Sequence, residues 1–183
     1  MDQERTARRF KTYFNAYIKR PGATGLLDWM EDNGFFGAPA SKGHHGAEPG
    51  GLAAHSVNVF ERLGKIAAQE NREPVSELGT ESIAVVGLLH DLCKIDEYEK
   101  AGAYGYQMSH NFPVGHGEKS VILIMRHMQL TDEEALAIRW HMGQYDFSAR
   151  GGSYDLDHAF KKCPLAVMLH IADMMAAHFD EGE

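Results

Sequence analysis

The chain has 183 residues with a formal net charge of -8, from 18 basic and 26 acidic side chains. That length suits one ordinary domain, and a hydrophobic fraction of 44% is enough for a real core. The acidic balance argues against a dedicated binder of long nucleic acid, which would carry a basic stripe.

Residues 4–20 read as a basic helix with Phe10, Phe14, Tyr17 and Ile18 on one stripe. PGATG breaks it, a short helix covers 24–33, and the Gly-, Pro- and Ala-rich stretch 34–50 reads as a loop. Leu52, His55, Val59 and Leu63 share a face, which predicts a helix over 51–70. NREP ends it, and a second core helix spans 76–92 with Ile83, Val86, Leu89 and His90 at periodic positions. A loop over 96–115 carries Tyr98, Tyr104 and Tyr106; a helix follows over 116–128. The T-D-E-E run at Thr131 is a capping box that opens a helix to about His141. GQYDFSARGGSYD reads as a loop, and Pro164 opens a last helix to about Asp180. No segment alternates long enough for a strand. The expectation is an all-α, single-domain bundle of six to seven helices spanning 1–183. In it, N-terminal residues 1–43 pack on a core of 44–180.

Cys93 and Cys163 are too few for a disulfide framework and lack CxxC spacing, which suits a reducing cytoplasm. The charged N-terminus has no apolar h-region, and no apolar run approaches the roughly 20 residues needed to span a bilayer. A cytoplasmic location with no membrane partner is expected.

Histidine is the compositional outlier, with 11 residues. His55 lies on the first core helix, His90 and Asp91 end the second, His116 opens the third, His141 ends the fourth, and Asp173 interrupts an apolar stretch of the last. A single histidine on an apolar face is ordinarily a satisfied core residue. Six such polar groups among core-type neighbours are costly to bury singly and are satisfied together by a shared metal. Imidazoles and carboxylates suit divalent Mn, Fe, Co, Ni or Zn. The absence of a cysteine cluster argues against a structural zinc site.

The ordered set His55, His90-Asp91, Asp173 resembles the H…HD…D pattern of the HD superfamily of metal-dependent phosphohydrolases. GGLAAHSVNVF resembles that family's opening helix, HDLCKI its HD-x-x-K segment, and LHIADMMAA its closing helix. HGEKS and IRWHM resemble the further His-bearing helices of members with two metals. The likeness covers about 44–180. Its wording is nearest to single-domain hydrolases similar to the HD domain of 3′→5′ exoribonucleases.

The resemblance implies one metal on His55, His90, Asp91 and Asp173, and a second on His116 and His141 with Asp91 bridging. It implies hydrolysis of a phosphoester, of a nucleotide or related small phosphorylated substrate, by metal-activated water. Asp91 and Lys94 are the expected catalytic residues, with Lys94 one turn past His90 facing substrate phosphate. Lys119, Arg139, His110 and Tyr104 are candidate substrate contacts, as a nucleobase could stack on the tyrosine loop. Glu118 is a helix-start charge or a site residue, and His44 and His45 could line an entrance. His127, His158, His170 and His178 read as structural or surface residues, with His170 able to support Asp173 from behind. Cys93 stands where the family often has glycine and reads as space-filling.

Two rivals share the pattern. Some HD proteins, similar to myo-inositol oxygenase and a phosphonate oxygenase, hold two irons on the same ligand set. A non-catalytic module that senses a nucleotide or a metal is the other. Oligomeric state is left open by the sequence; the aromatic N-terminal helix could pack on its own domain or on a second subunit.

Overall fold

Helix α1 (Gln3–Tyr17) starts where the Asp2 carboxylate accepts a hydrogen bond from Arg5 N–H. It opens a computed structural model that describes residues 2–43, 46–70, 78–100, 106–109 and 111–181. Helix α2 (Ala23–Asp32) and a 3-10 turn at Phe35–Gly37 follow. α3 (Gly51–Gln69) and α4 (Thr80–Leu89) form the first core pair. A 3-10 helix at Leu92–Asp96 leads into a hairpin of β1 (Tyr98–Lys100) and β2 (Tyr106–Met108), antiparallel with Tyr98 opposite Met108. Then come α5 (His116–Met125), α6 (Asp132–Trp140), α7 (Phe147–Arg150), α8 (Asp155–Lys162) and α9 (Pro164–Met175). A π-helical turn at Ala176–Asp180 extends α9.

The architecture is all-α, as the periodicity predicts. Nine α-helices are present among the described residues, against the six or seven expected. The difference lies after α6. α7 falls inside the stretch read as a loop, where Asp146 caps a single turn by accepting from Ser148 and Ala149 N–H. α8 buries only Leu156 and Ala159, too few apolar positions for a readable stripe. The hairpin is three residues per strand, too short for an alternation signal.

α4 is apolar on almost every side, and Ala84 through Leu89 are buried. It therefore sits in the middle, against α3, α1, α6 and α9. α9 packs on α3, α6 and α8. One buried apolar cluster joins Phe10, Phe14, Leu26 and Met30 of α1 and α2 to Leu52, Leu63, Leu89, Ile124, Ile138 and Leu169.

Two glycines let site helices approach. A Cβ at Gly87 of α4 would stand 2.8 Å from Phe60 Cα of α3. A Cβ at Gly117 of α5 would collide with the Arg139 backbone of α6. The α3–α4 and α5–α6 pairs are thus drawn close at the ends that carry histidines.

Arg20 ties the N-terminal segment to this frame. Its guanidinium donates to Glu134 Oε2 at 2.6 Å and Oε1 at 2.7 Å. Glu134 also accepts from Ser82 of α4 and completes the Thr131 capping box. No helix among the described residues is long and apolar enough to cross a membrane.

Candidate metal centre

His55, His90, Asp91, His116, His141 and Asp173 converge at one end of the α3, α4, α5, α6 and α9 helices. Three of the histidines have their tautomers fixed from outside. His90 Nδ1 donates to Gly87 O at 3.1 Å, and His141 Nδ1 donates to Ile138 O at 2.7 Å. A carbonyl can only accept, so Nδ1 carries the proton and a neutral ring turns a bare Nε2 inward. His55 Nδ1 donates in the same way to Glu181, 3.1 Å from each carboxylate oxygen. The inward atoms are close. His55 Nε2 lies 3.4 Å from His90 Nε2, 3.1 Å from Asp173 Oδ1 and 3.6 Å from Asp91 Oδ2. His90 Nε2 lies 3.5 Å from Asp91 Oδ2.

These spacings fit a shared cation. Donor atoms about 2.1 Å from a common ion stand roughly 3.0–3.4 Å apart at octahedral or tetrahedral angles. His55, His90 and Asp91 form one such group, and His90, His141 and Asp173 an overlapping one. Asp91, His116 and His141 form a third, with His116 Nε2 2.7 Å and His141 Nε2 3.4 Å from Asp91 Oδ1. His141 thus belongs to the second and third of these groups. Its Nε2 is buried without a hydrogen-bond partner, which is expensive unless another group uses the lone pair.

Electrostatics agree. Burial opposes a charge on His55, but its hydrogen bonds to Asp173 and Glu181 outweigh that and raise its pKa to about 10. The anionic pull that draws a proton to Nε2 also draws a dication. Burial pushes His90 down to about 3 against the pull of Asp91, which keeps its ring neutral and ligand-ready. Burial likewise opposes ionisation of Asp91, but Lys94, His90 and His116 hold its carboxyl well below the usual carboxylate range. Asp173 is held below that range too, against burial, chiefly by His55.

The other expected site residues are placed unevenly. Lys94 stands at the centre, its Nζ 2.6 Å from Asp91 Oδ2. Lys119 is buried in an ion pair with Asp96. Arg139 is committed to Asp146 at 2.9 Å and Glu118 at 2.7 Å, and it lies over the Trp140 ring. Glu118, read as a helix-start charge or a site residue, therefore anchors Arg139. His170 Nδ1 meets His141 O at 2.7 Å, so it supports His141 where Asp173 was the expected neighbour. His44, His45, Tyr104 and His110 lie outside the described residues.

Sequence reasoning missed three residues here. Glu181 holds His55 and also accepts from Asn58 Nδ2 at 2.9 Å. Cys93 and Glu97 flank His116, with Cys93 Sγ 3.3 Å from Nδ1 and Glu97 Oε2 3.6 Å from it. A four-residue offset within the turn after His90-Asp91 was the available signal for the last two.

Searches of curated proteins and of solved structures find no match to the chain. The family model described as the HD domain matches residues 52–179, a span that begins one turn before His55 and ends beyond Asp173. With that match over most of its length, the chain belongs to the HD domain family.

Proposed function

We propose that the protein is a metal-dependent phosphohydrolase that cleaves a phosphoester of a nucleotide or similar small phosphorylated substrate. The observation that carries this reading is the inward set of Nε2 atoms, fixed from behind by Gly87 O, Ile138 O and Glu181 and facing Asp91 and Asp173. In this reading His55, His90, Asp91 and Asp173 hold one divalent ion, of Mn, Fe, Co, Ni or Zn. His116 and His141 would hold a second, together with Asp91.

Bound there, such metals would supply Lewis acidity to a phosphoryl oxygen and lower the pKa of a water nucleophile toward neutrality. The chain's own residues do the rest. The backbone carbonyls and Glu181 orient the imidazoles. Lys94 keeps a cation beside Asp91, where it neutralises phosphoryl charge and positions the ester. The apolar helices beneath exclude water from the ligand side. The core shared by Phe10, Phe14 and the site helices supports treating 1–43 and 44–180 as one working unit.

The test is elemental analysis of the purified protein, followed by phosphate release from nucleotides and from bis(p-nitrophenyl) phosphate. Chelation should abolish turnover, reloading with Mn, Co or Ni should restore it, and Asp91→Ala should remove both metal and turnover. Full turnover by Asp91→Ala, or no metal uptake at all, overturns the reading. Oxygen consumption in place of phosphate release would favour the oxygenase alternative.

A further inference from the structure

Beside the centre lies a further group of donors, of which the family pattern and the proposed hydrolysis use only His116. Cys93 and Glu97 are four residues apart on the turn that follows His90-Asp91, and both side chains face the ring of His116 at the start of α5. Cys93 is fully buried, and its N–H is pinned by donation to Ser120 Oγ at 3.1 Å. Its Sγ meets both nitrogens of His116 and Glu97 Oε2.

The spacing has the size of one coordination shell. Cys93 Sγ is 3.3 Å from His116 Nδ1 and 3.8 Å from Glu97 Oε2, and Glu97 Oε2 is 3.6 Å from His116 Nδ1. Tetrahedral zinc with bonds of about 2.3 Å to sulfur and about 2.05 Å to nitrogen and oxygen has edges of roughly 3.3–3.6 Å. The tautomer is also right. A cation on Nδ1 requires the proton on Nε2, and Nε2 stands 2.7 Å from Asp91 Oδ1, placed to donate. One thiolate and one carboxylate balance one dication, which a buried position needs. Solvent can supply the fourth ligand, since the side chains of His116 and Glu97 remain 20% and 17% exposed.

We propose that Cys93, Glu97 and His116 Nδ1 form a thiolate-bearing binding position for a borderline-soft divalent cation such as Zn2+. The thiol proton leaves to solvent as the cation binds. The thiolate gives this position a preference for Zn2+, Co2+ or Cd2+ over Mn2+ or Mg2+, whereas the all-imidazole and carboxylate centre accepts harder ions. Occupation clips the turn after Asp91 to α5 and fixes the His116 ring. The inference goes beyond the proposed hydrolysis and does not need it; with Nε2 protonated, His116 serves this position in place of a second ion at the centre, and the hydrolysis is left to the ion on His55, His90, Asp91 and Asp173.

The experiment is titration of the chelator-treated full-length protein with Co2+, followed by absorption. The expected result is a near-ultraviolet thiolate-to-cobalt charge-transfer band whose final intensity corresponds to one thiolate–cobalt bond per chain. The band should vanish in Cys93→Ser, persist in Cys163→Ser, and need at least tenfold more Co2+ in Glu97→Gln. A wild-type protein saturated with Co2+ that shows no such band overturns the proposal, as does a band that survives Cys93→Ser. If Cys93→Ser does not fold, the wild-type spectrum and Glu97→Gln still decide. Metal-dependent phosphate release without the band would sink this position alone; the band without phosphate release would sink the hydrolase reading alone.

Discussion

His55 and Glu181 meet across 126 positions of chain, with the imidazole Nδ1 3.1 Å from both carboxylate oxygens. The π-helical turn at Ala176–Asp180 makes this contact by carrying α9 on to the level of His55. Glu181 N–H then closes the turn by donating to Ala176 O. A carboxylate behind a ligating imidazole fixes the ring and raises its basicity. Glu181→Gln keeps the shape and loses the charge. It should weaken metal binding about 10–100-fold while leaving the circular dichroism spectrum unchanged. Competition titration against a chromophoric chelator measures it, and unchanged affinity would mean that Glu181 only fills space.

The pair Arg20–Glu134 predicts how stability depends on pH. Burial opposes ionisation of Glu134, but hydrogen bonds from Arg20, the Thr131 backbone and Ser82 outweigh it and lower its pKa. A carboxyl depressed in the folded state stabilises above its unfolded pKa of about 4.3 and loses that contribution as pH falls through the folded value. Urea melts from pH 7 to pH 3 should therefore show the wild type losing more stability than Glu134→Gln below about pH 4.3. Parallel curves would falsify the assignment. Glu134→Ala at pH 7 removes both contacts of Arg20 with that carboxylate, while Arg20 keeps Glu81 and the Gln129 carbonyl, and should cost about 1.5–3 kcal/mol.

The pattern along the chain predicts the helices that carry the site because each has a long apolar face. Leu52, Val59 and Leu63 mark α3 in this way, and Ile83, Val86 and Leu89 mark α4. The six polar residues are conspicuous for the converse reason: they interrupt those faces. Glu181 gives no such signal. It follows an exposed Asp180 near the chain's end, and only tertiary structure brings it to His55. Glu97 sits in a charged stretch that reads as surface, and Cys93 matches the apolar context of its neighbours. Their role depends on where α5 places His116, which local pattern does not encode. Arg139 and Lys119 show the opposite limit: charge suggests phosphate, yet packing gives each an acidic partner within the fold.

Close helix approach makes Gly117 a sensitive point outside the ligand set. Its hydrogen lies where any Cβ would press on the Arg139 backbone, so α5 can accept a larger residue only by moving away from α6. Overpacking of this kind costs about 1–3 kcal/mol. Gly117→Val should lower the melting temperature and also weaken metal binding, because His116 and His141 separate. Gly64, whose added Cβ would meet nothing within 4 Å, is the control. Gly64→Ala should leave both properties unchanged or raise stability slightly. Equal behaviour of the two variants would show that the α5–α6 distance does not set the site.

Metal removal should be visible as a loss of stability, whatever the reaction. The candidate ligands come from α3, α4, α5, α6 and α9 and the residues that follow them, so an ion bound to all of them would be bound only by the folded chain. A ligand present at 100 times its Kd then adds about 2.7 kcal/mol. For a chain of this size each kcal/mol moves the midpoint by roughly 2–4 °C. Saturating Mn2+ or Co2+ should raise the Tm of chelator-treated protein by roughly 5–10 °C on those values. Asp91→Ala should abolish the rise, because Asp91 stands within 3.6 Å of His55, His90, His116 and His141 and belongs to two of the donor groups. Glu118→Gln, which loses only the ion pair to Arg139, should keep it. A wild-type protein whose melting is indifferent to metal would show that the convergent histidines and carboxylates satisfy one another and do not hold an ion.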